Sequence, residues 1–393
     1  LAYFMYSAQT KPEALAAMKD FGHHSQTYGL MLDAMRPVRK KVAMLVPFEN
    51  VTYRIQHGFE MAYPFMNLLL AKVDVEPVTP MELNATNIHN YEAVVLAQTK
   101  WLKTGTARLL ENYITRGGTV VVDSVTADAF SIEGARTLDF PLGDPAKKDY
   151  GHPEQINRVR KSLQPISKPV VDCDDPFVAV RRCALPDGTP GVWLVHNYTA
   201  TEYEALRKTP RHWNPEECRQ KEKELGYDDT VLSTTLRRRD DGRIPFDLFG
   251  KRILDCKRAE GQMEVSLDIP KWKGMCIVFL PDLPHSVNLL GIPQETSPGI
   301  SVEVGVDVRG KNGQTIQTPL PLAMTVRAPD GTVNREYTRR LLTSEGQASW
   351  SFAFAANDAP GTWSIRVEDV LTEKVTETDF LLSAEHQQPH PEQ

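Results

Sequence analysis

Glu49, Asn50, Tyr53, Lys100 and Trp101 are the residues of this chain whose types, brought together, could do chemistry. An indole offers an apolar face to a pyranose or to a partner's surface, and an acid and an amide beside it hydrogen-bond hydroxyls. That is a binding set, because the group that would break a covalent bond is missing where it is needed. A strand and helix unit that hydrolyses or transfers amides carries a Cys or Ser on a sharp turn after its third strand. Gln98, Thr99, Lys100 and Trp101 occupy that turn, and the first cysteine anywhere is Cys173. The unit therefore reads as non-catalytic.

The elements that must position these residues follow from the apolar pattern. Lys41 to Pro47 (KVAMLVP) is a short run of the kind buried on both faces of a parallel sheet, and Val73 to Val78, Ala93 to Ala97 and Thr119 to Asp123 (TVVVD) are three more. A polar turn is expected at Glu49 and Asn50 and a helix over Arg54 to Ala71. A second helix is expected over Thr104 to Arg116, with Leu109, Leu110, Tyr113 and Ile114 on one side and Gly117 and Gly118 as its stop. Short connections force parallel pairing, and such sheets take ligands in the crevice beyond the carboxyl ends of their strands. Those ends are Phe48 to Asn50, Gln98 to Trp101, and Asp123 with Ser124, so the five residues converge on one crevice.

Ahead of this unit, Leu1 to Ser7 reads as a strand cut from something larger. A long helix follows, opened by a Thr10 and Glu13 capping box and continued by Tyr28, Met31, Leu32 and Met35. Arg36 to Lys41 is a basic linker. Beyond Asp123 the pattern turns antiparallel. Val178 to Leu185 and Gly191 to Thr199 form a hairpin about a Pro186-Asp187-Gly188 turn, with partners near Ile253 to Cys256, Met263 to Ile269 and Met275 to Leu280. A polar insertion, 200–243, interrupts them, and holds a short helix capped by Asn214 and a basic run, Arg237 to Arg239, expected on solvated surface. Strict alternation in Ile300 to Val308, Leu322 to Val326, Ala348 to Phe354 and Thr362 to Val367 indicates an immunoglobulin-like sandwich filled by Trp350, Phe352, Phe354, Trp363, Ile365 and Val367. Glu385 to Gln393 is an expected frayed tail.

Composition narrows the classes. A chain of 393 residues holds two to four domains, and its formal net charge of −6 argues against nucleic acid as a partner. No apolar run approaches the roughly 20 residues that cross a bilayer. The five cysteines, at 173, 183, 218, 256 and 276, show no zinc spacing; a Cys173 to Cys183 bridge is open if the chain is exported. Asp172, Asp174 and Asp175 lack the glycine-containing loop of a calcium site. His23 and His24 have no carboxylate at ligand spacing, and His196 with Asn197 ends a core strand. No metal and no cofactor are expected.

The order of parts carries a resemblance. Residues 1–40 resemble the closing strand and helix of a (β/α)8 barrel. Residues 41–133, through KVAMLVP and LENYITRGGTVVVDS, are similar to the amidotransferase-like domain that follows the barrel in trimeric β-galactosidases of glycoside hydrolase family 42. Residues 134–290 resemble the small β-sandwich after it. Residues 291–384, with APDGTV and APGTWSIRVED, resemble macroglobulin-like sandwiches of bacterial secreted or periplasmic proteins, and 385–393 is the tail. The implied fold is α/β plus all-β: a flavodoxin or class I amidotransferase-like open parallel sheet, two antiparallel β-sandwiches and a remnant βα unit in front. In that family two glutamates at barrel strand ends do the chemistry, and neither has a counterpart here. The resemblance implies an accessory role for the chain within a carbohydrate-active parent. It also implies self-association as a dimer or trimer through the α/β domain, with the periplasm or the exterior as its place. The alternatives are a carbohydrate-binding module using an exposed aromatic such as Trp193 or Trp213, and an enzyme using the crevice.

Overall fold

The computed structural model describes residues 12–53, 61–143, 151–196, 231–270 and 274–383, with 220 and 224. The expected first strand, the Asn214-capped helix, Trp213 and the tail lie outside them. Helix α1 (Pro12–Ala34) runs through β1 (Arg36–Pro37) into β2 (Val42–Leu45), α2 (Phe48–Tyr53), α3 (Ala62–Leu70), β3 (Val75–Val78) and β4 (Ala93–Leu96). Helix α4 (Thr104–Thr115), β5 (Thr119–Val122), α5 (Ser124–Ala129), β6 (Arg136–Thr137) and α6 (Pro153–Leu163) complete this part.

Strands β2 to β6 form a wholly parallel sheet in the order β3-β2-β4-β5-β6. Alternate residues of each strand enter opposite cores, as two-sided burial requires. Val42, Met44, Ala93 and Val95 meet Leu68, Leu70, Ile156 and Val159 of α3 and α6, while Ala43, Leu45, Val94 and Leu96 meet Leu110 and Tyr113 of α4. Helix α4 ends where Gly117 adopts φ +88°, and a Cβ on Gly118 would lie 2.3 Å from the Tyr113 ring. Both glycines are therefore required, one for its dihedral and one for the close approach. The expected polar turn at Glu49 and Asn50 is instead the start of α2, entered when the Asn50 N–H bonds Pro47 O at 3.2 Å.

Next come β7 (Val171–Cys173), β8 (Val178–Ala184), β9 (Pro190–His196), β10 (Val231–Arg239), β11 (Ile244–Asp247), β12 (Arg252–Ile253), β13 (Cys256–Ala259), β14 (Gln262–Pro270) and β15 (Gly274–Leu280). They build a six-stranded sheet, β1-β8-β9-β15-β11-β12, facing a four-stranded one, β13-β14-β10-β7, across a core of Val192, Leu194, Leu236, Val265, Leu267, Ile277 and Phe279. Strand β10 corrects the sequence reading, which placed it in a polar insertion. Its inward residue Leu236 is followed by three arginines that disguise the alternation. Arg238 lays its guanidinium 4.1 Å from the centre of the Phe279 ring, and Arg237 is clamped by Asp174 and Glu264. The basic run is thus built into the sheet. No Cys173 to Cys183 bridge forms: both are free thiols, in different sheets, as are Cys256 and Cys276.

The remaining strands are β16 (Ser286–Leu290), β17 (Glu295–Thr296), β18 (Ser301–Arg309), β19 (Pro321–Arg327), β20 (Val333–Leu342), β21 (Gln347–Ala353), β22 (Gly361–Asp369) and β23 (Val375–Leu382). Sheets β16-β18-β21 and β17-β23-β22-β19-β20 enclose Trp363, Phe354, Ile365 and Val367, whereas Trp350, expected in the core, is only partly buried. This core is continuous with the outer face of the six-stranded sheet, because α1 fills the junction with Tyr28, Met31 and Met35. Trp193 belongs to the same junction, 5.7 Å from Phe249, and so presents no open platform.

The amino-terminal end of the parallel sheet is joined to the six-stranded sheet by buried charge. Asp74, just ahead of β3, accepts from Lys40 Nζ at 3.1 Å and from the Arg182 guanidinium of β8. Lys72 sends its ammonium to the backbone oxygen of Asp175 at 2.9 Å and to those of Pro176 and Val178. Burial pushes the Lys72 pKa down to about 8 and also lowers that of Lys40, where Asp74 opposes it.

Candidate functional site

Strand order reverses about β2: the chain steps from β2 to β3 on one side, then crosses to β4 on the other. The crevice beyond the carboxyl ends of β2 and β4 is the place where sheets of this topology take ligands. Asn50 lies there fully buried. Its Oδ1 accepts from the backbone N–H groups of Lys100 (2.8 Å) and Trp101 (3.1 Å), and its Nδ2 donates to Trp101 O (2.7 Å). The amide therefore pins the turn after β4 onto α2 and meets no solvent, contrary to its expected role at a ligand's hydroxyls. Glu49 bonds Lys103 Nζ at 2.9 Å, and its second oxygen is shut away from solvent. Burial raises the pKa of Glu49, but a backbone hydrogen bond and Lys103 outweigh it and hold the carboxyl below its ordinary range. Lys100 is exposed and Trp101 is 42% exposed. Tyr53 ends α2, with its side chain outside the described residues.

Two residues that sequence reasoning passed over complete this lip. Phe48, just after β2, is 63% exposed, and Met81, just after β3, is 90% exposed. The Val46 N–H bonds Val78 O at 2.8 Å, so the tails of β2 and β3 leave the sheet side by side. Three neighbouring strands, β3, β2 and β4, thus each run into an exposed large apolar side chain. Exposed apolar residues scattered singly are ordinary; here three of them follow three adjacent strands.

The turn after β4 holds a non-glycine residue in the left-handed region. Gln98 is held at φ +54°, a left-handed conformation that costs a non-glycine residue roughly 1 to 3 kcal/mol. What holds it is a closed polar network. The Gln98 N–H is shared by both oxygens of Asp123 at 3.2 Å, and Gln98 Nε2 donates to Gly143 O at 2.5 Å. Asp123 also caps α5, accepting from Thr126 N (3.0 Å) and Thr126 Oγ1 (2.7 Å), and takes the Leu142 N–H at 3.2 Å. Burial pushes the Asp123 carboxyl up while these bonds pull it back. The capping signal at Asp123 was legible from Asp followed by Thr three residues on. The Gln98 contact, across 45 positions, was not.

Among the described residues no group of three or more His, Cys, Asp and Glu is arranged to hold a metal ion, and no helix is long and apolar enough to cross a membrane. No protein-family model matches the sequence, and no curated protein matches it. The solved structures to which the chain is similar include glycoside hydrolases. A catalytic mutant of a family 42 β-galactosidase from G. stearothermophilus aligns at 10% identity over 62% of this chain and 40% of that one, with a TM-score of 0.36. The β-galactosidase of Bacillus circulans sp. alkalophilus aligns at 10% identity over 68% and 45%, at 0.41. The α-L-fucosidase isoenzyme 2 of Paenibacillus thiaminolyticus aligns at 8% identity over 65% and 51%, at 0.42. The chain spans about two fifths of the first of these proteins.

Proposed function

We propose that this chain is a non-catalytic accessory region of a glycoside-hydrolase-like protein acting on carbohydrate, and that it self-associates through the carboxyl rim of its parallel sheet. The observation that carries the reading is the pairing, on one rim, of a spent polar network with an exposed apolar lip. Asn50, Gln98 and Asp123 have committed their hydrogen bonds to the protein itself, and Glu49 gives one oxygen to Lys103 while the other is buried without a partner. A sugar subsite needs polar groups still turned to solvent beside its aromatic face, and a hydrolytic centre needs an activated nucleophile. Phe48, Met81 and Trp101 ask instead for apolar cover, which a second protein surface supplies. The link to glycoside hydrolases rests on the order of parts read in the sequence.

Sedimentation equilibrium over a concentration series tests the assembly, with the weight-average mass expected to rise above that of one chain. Incubation with aryl glycosides tests the rest, with no turnover expected. A strict monomer at high concentration removes the first half, and hydrolysis abolished by altering a rim residue removes the second.

A further inference from the structure

Strand β20 is the outermost strand of the five-stranded sheet and is bonded only to β19. It carries Arg335, Arg339 and Arg340, and Arg327 of β19 stands opposite Val333 in the register. Among the described residues none of these four guanidiniums has a carboxylate partner; Arg327 and Arg339 donate only to the backbone oxygens of Gly331 (3.2 Å) and Thr338 (2.9 Å). Elsewhere in the sheet an arginine with an acid at hand takes it, as Arg366 does with Glu368 at 2.8 Å. Arg339, opposite the buried Met324, turns toward the sandwich margin, where its guanidinium lies 4.8 Å from the centre of the Trp350 ring. Arg340 and Arg335 are exposed.

Glu377 and Asp379 lie on β23, three strands away in the sheet order, which at the usual strand spacing is about 14 Å and beyond the Debye length of about 8 Å at physiological salt. Glu336, exposed on β20 beside Arg335, is the one acid of that strand, so the edge sets four arginines against one glutamate and is net cationic in a chain whose formal net charge is −6. Charge on an edge strand also discourages edge-to-edge pairing. That purpose is served as well by lysine, yet all four positions are arginine, whose planar fork pairs with carboxylate and sulfate in a way an ammonium does not.

We infer that this edge binds a linear polyanion, an acidic polysaccharide bearing carboxylate or sulfate groups, laid along β20. β20 bulges between Asn334 and Arg339, so from Asn334 to Arg340 it advances only as far as Val326 to Ala323 of β19, roughly 10 Å. Trp350 lies against Arg339 and is partly buried, so it offers no stacking platform for bases, and the overall negative charge opposes a phosphate backbone. The inference is independent of the rim reading.

Titration of the intact chain with heparin and with polygalacturonate, neutral dextran serving as control, tests it. Binding is expected to at least one of the acidic chains, weakening as salt rises, and absent for dextran. The double variant Arg335→Glu, Arg340→Glu keeps a charged edge and alters only exposed side chains, and should lose about tenfold or more in affinity with an unchanged melting temperature. Reversing Arg108 and Arg116, exposed on and just after α4, should change affinity little. Equal binding by the β20 variant, an equal loss in the α4 control, or tighter binding to a DNA duplex than to either polysaccharide would overturn the inference.

Discussion

The two ends of the parallel sheet are finished in opposite ways. At the amino end the chain buries charge: Lys40 and Arg182 close on Asp74, and Lys72 is sunk into a ring of backbone oxygens, so that β2 and β3 are docked against β8. At the carboxyl end, where topology invites a ligand, the polar groups are turned inward onto the protein's own turns and apolar side chains are left outside. Breaking a buried ion pair leaves an uncompensated charge and is costly, whereas removing an exposed apolar side chain costs the fold little. The amino end thus spends its charge within the fold, and the proposed contact surface lies at the carboxyl end.

The largest effect should come from breaking the charged end. Asp74→Ala strands the buried Lys40 and the half-buried Arg182 and is expected to lower unfolding stability by about 3 kcal/mol, measured by urea denaturation. A loss below about 1 kcal/mol would mean that the cluster is solvated and the contrast between the two ends is smaller than described.

Lys72 sharpens the same contrast through pH. Its folded pKa, about 8, lies below the unfolded value of 10.5. Between the two the unfolded chain binds the proton and the folded chain does not, so stability contributed at this site rises with pH across that window and is flat below it. Stability of the native chain relative to Lys72→Met should therefore climb from pH 8 to 10.5, by at most about 3 kcal/mol. A pH-independent difference would show that the lysine keeps its ordinary affinity for the proton.

A smaller effect is expected at the carboxyl end. Asn50→Ala removes three hydrogen bonds and leaves the Lys100 and Trp101 N–H groups without their acceptor, which should cost about 2 kcal/mol. Hydrogen exchange at those two amides should accelerate well beyond that of β4. Unchanged exchange would mean that the turn is held by something other than this amide.

How legible the molecule was depended on whether a residue's chemistry agreed with its position. β2, β4 and β5 declared themselves because every residue of Val42 to Leu45, Ala93 to Leu96 and Val120 to Val122 is apolar and buried. β10 hid because only Leu236 is fully buried there, and Arg237 and Arg238 occupy a sheet by stacking and pairing in place of apolar contact. Of the five candidate residues, Asn50 does meet the backbone of Lys100 and Trp101, but polarity alone made Asn50 and Glu49 look available. Only the fold brings the backbone of residues 100 and 101 within reach of Asn50. Phe48 and Met81 went unremarked because a lone apolar residue after a strand is ordinary; their grouping exists only once β3 and β4 flank β2.

The central claim is that the carboxyl rim is a protein-contact surface, and light scattering on the native chain beside the variant Phe48→Ser, Met81→Ser, Trp101→Ser tests it most directly. All three side chains are exposed, so the variant should melt within about 1 kcal/mol of the native protein. The account predicts an assembled native chain and a variant with the mass of one chain at the same concentration. A variant that assembles as fully as the native protein would contradict it.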